Sequence, residues 1–304
     1  MCFDKVGVNS FKAWFLAARP KTLSGAAVPV VIGLAFAVSH YGDMVRGVPA
    51  VLCLLFAFLM QIDANFVNDY FDYLKGCDGE GRLGPKRACA QGWITPKAMR
   101  TGIVINTLVS CAVGFPLVLF GGWNMVWVGG LCVLFCFLYT THLSYVGLGD
   151  VLVLLFFGVV PVCLTYYLAV PASPCGEIPG DVVWMSVACG AMTDTLLIVN
   201  NYRDIENDRR VGKRTLVVMV GKRASRYLYL VLGILACSIS VTVLYSRNET
   251  PQSFLPLAVL PFLFASYHRI VRIDHGSRLN SVLGETARNI LVFGLLVSVS
   301  IVFG

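Results

Sequence analysis

Nine times along this chain a run of mainly apolar residues is long enough to cross a bilayer as a helix, for which about 17 to 25 residues are needed. The runs are Thr22 to Ser39, Val48 to Leu74, Ala98 to Phe120, Trp123 to His142, Leu148 to Val170, Val182 to Ile205, Ala224 to Tyr245, Phe254 to Val271 and Leu283 to Phe303. A soluble alternative fails on surface chemistry. With 57% of 304 residues hydrophobic and 13% charged, too little charge remains to cover a soluble domain. The chain is therefore an all-α polytopic membrane protein, expected to form one domain over residues 1–304. Breakers separate the runs: Gly42 with Asp43, Gly121-Gly122, Gly147, the loop carrying Pro171, Pro174 and Pro179, and Pro251.

Charge fixes the expected orientation. Of 24 Lys and Arg residues, all but Arg46, Arg247 and Arg288 fall on one side of the nine-span layout, the side that also holds the N-terminus. The positive-inside bias makes that side cytoplasmic. Topology thus accounts for most of the net charge of +7, and a nucleic-acid partner is not needed to explain it. Met1 to Ala18 has no long apolar core and is interrupted by Asp4, Lys5 and Lys12. It reads as an amphipathic segment at the interface, with Phe11, Trp14, Phe15 and Ala18 on one side, and not as a cleaved signal. The eleven cysteines form no CxxC pair, and most lie inside apolar runs, as small hydrophobes do.

Against this background two polar clusters stand out. The second run ends in NFVNDYFDYLKGCDGEGRLGPKR, Asn65 to Arg87, preceded by Asp63. Even on a lenient scale, one unpaired carboxylate near the bilayer centre costs about 2.5 to 3.5 kcal/mol. On a helix, Asn65, Asn68, Asp69 and Asp72 share an arc of roughly 100°, so their oxygens can converge. The sixth run ends in DTLLIVNNYRDIENDRRVGKRTL, where Asn200, Asp204 and Asp208 follow at i, i+4 and i+8 within an arc of roughly 80°. Both clusters fall on the cytoplasmic side, and each leads into a basic, Gly-containing loop. Asp72 and Asp204 mark an echo between two halves, about 22–142 and 148–271, with the ninth helix, 283–303, as an addition.

Oxygen donors without His or Cys suit a hard cation such as Mg²⁺ or Ca²⁺. Mg²⁺ typically bridges carboxylates to substrate phosphates, and Lys75, Arg82, Lys86, Arg87, Arg203, Lys213 and Arg214 stand ready for the remaining phosphate oxygens. Together they imply a diphosphate held between two Asp-rich helix ends. A capping cluster ion-paired to its own loop would explain either motif singly, but not two on one face.

RPKTL at Arg19 to Leu23, NDYFDYLKGCDGEGRLGPKR at Asn68 to Arg87 with the following GWIT, GLGD with FFG and Pro161, NNYRDIENDRRVGKRTL at Asn200 to Leu216, and LNSVLGETAR from Leu279 together resemble the UbiA superfamily of intramembrane aromatic prenyltransferases. The likeness covers the whole chain. Gly76-Cys77-Asp78 and Gly84-Pro85-Lys86-Arg87 favour the branch that prenylates 1,4-dihydroxy-2-naphthoate over the 4-hydroxybenzoate branch. Asp150 stands where many naphthoate enzymes carry Glu.

The resemblance implies nine transmembrane helices around a central cavity that opens to the cytoplasm, in an integral protein of the bacterial cytoplasmic membrane. It implies Mg²⁺, two ions bridging to an isoprenyl diphosphate, with Asn68, Asp72, Asp204 and Asp208 as ligands and catalytic residues and Asp69 and Asp78 as helpers. Arg19, Arg82, Lys86 and Lys213, with Asn200, would contact the diphosphate. Metals and arginines stabilise the departing diphosphate, and the electron-rich ring attacks the allylic cation and loses its carboxyl group. Tyr139, Tyr145, Phe156 and Tyr166 are candidates to guide the cation or line a lipid-side channel, though for any one of them core packing or an interfacial belt is the better reading. Asp150 either orients or deprotonates the aromatic acceptor, or is a helix N-terminal acid favoured by the macrodipole. Another acceptor, such as 4-hydroxybenzoate or homogentisate, fits the same chemistry. The rival class, an ion-coupled transporter, places acids at the midplane on broken helices, whereas here they gather at one face.

Overall fold

The computed structural model describes residues 6–76, 82–171 and 177–304. Asp78 and Pro174 lie outside the described residues. A short helix α1 (Phe11–Ala18) precedes α2 (Pro20–Tyr41), α3 (Gly47–Leu74), α4 (Pro96–Gly121), α5 (Asn124–Thr141), α6 (Gly149–Ala169), α7 (Gly180–Arg210), α8 (Leu216–Asn248), α9 (Pro251–Ile273) and α10 (Leu279–Phe303). Among the described residues, nine of these, α2 to α10, are long and apolar enough to span a membrane.

The interfacial reading of α1 holds in part. Ser10 caps it, its side-chain oxygen accepting from the Ala13 N–H, and Phe11 and Phe15 face outward. Trp14 instead turns inward, its ring 5.4 Å from that of Phe66 and against Gly102. Arg19 takes a left-handed φ of 51° to turn the chain into α2, where Pro20 occupies the first helical position.

Two boundaries differ from the apolar pattern. The sixth run extends to Arg210, so Asp204 and Asp208 sit on continuous helix. The seventh begins at Leu216, because Thr215 caps it by accepting from the Val218 N–H, and Gly221, at φ 78° and ψ 169°, breaks it before the apolar stretch. Hydropathy alone does not register a cap or a glycine kink.

α7 is the most enclosed span and α5 the least. Toward one end, α7 packs through Met185, Cys189 and Met192 against Phe36 of α2, Tyr166 of α6 and Phe293 of α10. Toward the other, Ile198, Tyr202 and Ile205 join Tyr229 of α8, Leu263 of α9 and Val282 of α10. The α6–α7 contact is unusually close. A Cβ at Gly158 would lie 2.5 Å from the Ser186 carbonyl oxygen, and one at Gly190 would lie 2.7 Å from that of Leu154. Pro161 removes a helical donor from α6, the ladder widens into a π turn over Leu155–Val159, and the Cys189 thiol donates to the Phe157 carbonyl at 3.6 Å.

Between α9 and α10, Asp274 accepts from the Tyr202 hydroxyl at 2.8 Å, lies 3.8 Å from Lys222 and pairs with Arg226. The Tyr202 hydrogen bond, with these cations, holds the Asp274 carboxyl below the usual carboxylate range. This contact ties the loop to α7 and α8.

Candidate active site

A cavity of about 960 Å³ runs between the helices. Its body is apolar, with Phe56, Phe115, Phe135, Phe156, Leu164 and Leu168 on its walls. Its polar end holds Asn68, Arg87, Asn200, Asp204, Asp208 and Lys213, with Arg19 and Arg82 on the same lining. The two motifs, far apart in sequence, therefore meet at one end of one cavity.

The first motif divides its labour. Asp72 is buried and accepts from Arg87 Nη2 and from Lys213 Nζ, both at 3.2 Å, so the cations of both basic loops meet on one carboxylate. Asn68 lines the cavity and accepts from the Thr140 hydroxyl at 2.5 Å. Asp69 does not join them. Its two oxygens accept from the backbone N–H groups of Ala88 and Cys89, each at 2.8 Å, so it anchors the turn after the loop, and it is not among the cavity-lining residues. Asn65 is similarly occupied, donating to the Ala18 carbonyl and the Thr22 hydroxyl at 3.0 and 3.1 Å, and Asp63 accepts from the Thr107 hydroxyl at 2.7 Å.

On α7 a buried arginine organises the second motif. Arg203 donates to Asn200 at 2.8 Å, to both oxygens of Asp204 at 2.9 and 2.5 Å, and to Asn280 of α10 at 2.8 Å. Asn280 in turn donates to the Leu83 carbonyl at 2.8 Å, bringing the first loop onto α10. Gly84 lies against this contact: a Cβ there would stand 2.8 Å from the Arg203 guanidinium, which would have to shift. The sequence reading counted Arg87 and Arg203 only among the loop cations. Their direct bonds to the motif acids give them a larger part, for which the i, i+3 spacing of Asn200 and Arg203 was the available signal. Asn280 had no signal beyond its place in the LNSVLGETAR stretch.

Three other candidates move. Lys86 is exposed and is not among the cavity-lining residues; the neighbouring Arg87 is. The Tyr145 ring lies outside the lining, 4.0 Å from Lys75 Nζ and 5.3 Å from Lys213 Nζ, so it supports the lysine that reaches Asp72. Tyr166 belongs to the opposite end, where its hydroxyl lies 3.0 Å from His40 Nδ1. There His40 and Arg247 both face Asp181 at 3.4 Å. A periodic apolar pattern gives no depth along a span, which is why Tyr166 passed as a channel residue. Tyr139, Asp150 and Phe156 do line the cavity.

Among the described residues no three acidic, His or Cys side chains converge on one point. Mg²⁺ itself asks for only one or two carboxylates and takes its other oxygens from substrate phosphates and water. Asp208 strengthens the fit: it is 7% exposed, lines the cavity one turn beyond Asp204, and takes no side-chain hydrogen bond among the described residues. An oxygen-only donor set with one unsatisfied carboxylate is suited to a hard cation.

Residues 26–293 match the UbiA prenyltransferase family. The 1,4-dihydroxy-2-naphthoate octaprenyltransferase of Escherichia coli (strain K12) is 33% identical over 95% of this chain and 94% of its own. A UbiA homologue of Aeropyrum pernix K1 superposes with a TM-score of 0.69 at 14% identity, covering 92% of this chain and 97% of that one. A UbiA homologue of Archaeoglobus fulgidus, bound to GPP and Mg²⁺, superposes with a TM-score of 0.62 at 13% identity, covering 94% and 99%. The transporter reading is set aside: this chain belongs to the UbiA prenyltransferase family and is an integral membrane aromatic prenyltransferase.

Proposed function

We propose that the protein transfers a polyprenyl group from an isoprenyl diphosphate to 1,4-dihydroxy-2-naphthoate, in an Mg²⁺-dependent reaction that releases the ring carboxyl as CO₂, the prenylation step of menaquinone biosynthesis. The carrying observation is a cavity of about 960 Å³ whose acid- and cation-rich end, built from both motifs, continues into an apolar body suited to an isoprenoid tail. The naphthoate acceptor is supported by the relative at 33% identity, and the metal by the fit of the oxygen donors.

Asn68, Asp72, Asp204 and Asp208, with Asn200 beside them, would hold two Mg²⁺ ions against the diphosphate. The bound ions supply charge neutralisation at the leaving group. Arg19, Arg82, Arg87 and Lys213 meet the remaining phosphate oxygens, and Asp72 and Tyr145 keep Lys213 in position for this. The allylic C–O bond breaks, and the diphosphate leaves with the electron pair. A ring carbon of the acceptor then bonds to the allylic carbon and loses its proton, restoring the aromatic ring, and the ring carboxylate leaves as CO₂ with a proton taking its place. The apolar walls and the faces of Tyr139 and Phe156 exclude water, which would otherwise capture the cation.

The basic loops support an orientation with this end at the cytoplasmic face, in a bacterial cytoplasmic membrane, under the positive-inside rule. The test is product analysis of the purified protein with Mg²⁺, a polyprenyl diphosphate and the naphthoate, run beside 4-hydroxybenzoate and homogentisate. A prenylated, decarboxylated naphthoquinol supports the reading, and consumption of another acceptor in its place overturns it.

A further inference from the structure

On the cavity wall stands an acid, Asp150, with a second, Asp194, beside it but outside the lining, and the leaving-group chemistry uses neither. Asp150, in the first turn of α6, lines the cavity, is 9% exposed, and has no hydrogen-bond partner on either carboxylate oxygen from any other residue. Asp194 of α7 is 5% exposed, and its Oδ1 is likewise unpartnered. No cation pairs with either acid among the described residues.

The two are neighbours by construction. Gly190 brings the backbones of α6 and α7 into contact at Leu154. The helices run in opposite directions, so one turn before Leu154 and one turn after Gly190 lie side by side, and those turns carry Asp150 and Asp194. They are close enough to interact electrostatically. Tyr139 is within electrostatic reach of this pair and also of Asp72 and Asp208.

A buried acceptor left without a donor is destabilising, and more so inside a membrane span. Its place on the wall of a substrate cavity gives a reason for it to be kept. We infer that Asp150, backed by the neighbouring Asp194, forms a hydroxyl-reading subsite for the aromatic acceptor, Asp150 accepting a hydrogen bond from the phenolic O–H farthest from the acceptor's carboxylate. Like-charge repulsion turns that carboxylate away from the acids and toward the basic rim. In 1,4-dihydroxy-2-naphthoate the hydroxyl delivered to Asp150 is therefore the 4-hydroxyl. A hydrogen bond from this hydroxyl to a carboxylate makes its oxygen a better electron donor to the ring, which favours attack on the allylic carbon.

The inference rests on the acceptor class proposed above, and the experiment separates the two. Wild-type protein, Asp150→Asn and Asp194→Asn in lipid nanodiscs are compared in two measurements. One is Mg²⁺-dependent binding of a non-reactive isoprenyl thiodiphosphate. The other is acceptor kinetics with 1,4-dihydroxy-2-naphthoate and its 1-O-methyl and 4-O-methyl ethers. Thiodiphosphate binding is expected to stay within about twofold of wild type, while KM for the acceptor rises about tenfold or more, the range for losing a charge-assisted hydrogen bond. Wild type should discriminate against the 4-O-methyl ether more than the 1-O-methyl ether, and Asp150→Asn should lose that difference, which a merely structural role would leave in place. An unchanged acceptor KM in both variants, or retained 4-O-methyl discrimination in Asp150→Asn, overturns the inference. Loss of thiodiphosphate binding in one variant marks it as misfolded and leaves the other to decide. A wild-type protein that binds the thiodiphosphate but prenylates only 4-hydroxybenzoate refutes the naphthoate assignment alone, and the same kinetics with that acceptor then test the subsite.

Discussion

Lys213 Nζ reaches the Asp72 carboxylate at 3.2 Å across a sequence separation of 141 residues, and this contact joins the end of α3 to the loop after α7. The same carboxylate takes Arg87 on its other oxygen, also at 3.2 Å. Before substrate arrives, the basic groups suited to phosphate are thus kept in place by an acid suited to metal. Asp72→Ala and Asp204→Ala should each lower kcat by at least about a thousandfold, the scale of losing a principal electrostatic stabiliser of the leaving group. Initial rates of prenyl transfer check this, and near-wild-type turnover in either variant would contradict a site shared by two helices.

Arg203 holds Asn200, Asp204 and Asn280 together through a planar fork. A lysine offers one flexible point charge and cannot make those bonds at once. Arg203→Lys is therefore expected to behave nearly as badly as Arg203→Ala, with prenyl-transfer rates down about a hundredfold. Losing the bonds to the half-buried Asp204 should also lower stability, by about 1.5 to 3 kcal/mol. Thermal unfolding in detergent, run beside the rate assay, separates the two effects.

The α6–α7 contact at Gly190 leaves no room for a side chain, since a Cβ would lie 2.7 Å from the Leu154 carbonyl oxygen. Gly190→Ala must push the helices apart, at about 1 to 3 kcal/mol for overpacking. Lower thermal stability should accompany a raised acceptor KM, because the displaced turn carries Asp194. A variant with wild-type stability would show that the helices separate at no cost.

Tyr166 hydrogen-bonds His40 at the end away from the polar rim. Tyr166→Phe should therefore leave kcat within about twofold while removing about 1 kcal/mol of stability, the usual net worth of one such bond. A large fall in kcat with intact stability would return Tyr166 to the channel.

Asp274, outside the spans, has its carboxyl held below the usual range by the Tyr202 hydroxyl and its cation neighbours. A depressed folded-state value means the contribution is fully present above the unfolded value near pH 4 and is lost as pH falls through the folded one. Wild type should lose thermal stability below about pH 4 faster than Asp274→Asn. Parallel curves for the two would remove Asp274 from the account.

The apolar runs made all nine spans legible, because length and hydropathy are the very properties a bilayer selects. The Asp-rich helix ends were legible for the complementary reason: polar residues are costly there, so Asn68, Asp72, Asp204 and Asp208 stand out. Sequence spacing shows which helix face a residue shares but not what it meets. Asp69 lies on the same arc as Asp72, yet it is satisfied by two backbone N–H groups from a turn nearly twenty residues on. Arg203 looked like one loop cation among many, and only the packing of α7 against α10 makes it a clamp. Lys86 and Arg87 differ by one position, and the loop fold alone decides which enters the site.

The central claim is that two Asp-rich helix ends form one metal–diphosphate site that serves a naphthoate acceptor. It is tested most directly by product analysis of the purified protein with a polyprenyl diphosphate and 1,4-dihydroxy-2-naphthoate, with Mg²⁺ and after chelation. The account predicts a prenylated, decarboxylated naphthoquinol that disappears on chelation and in Asp72→Ala and Asp204→Ala. Product formed equally well after chelation or by either variant, or no naphthoate product while 4-hydroxybenzoate is prenylated, would contradict it.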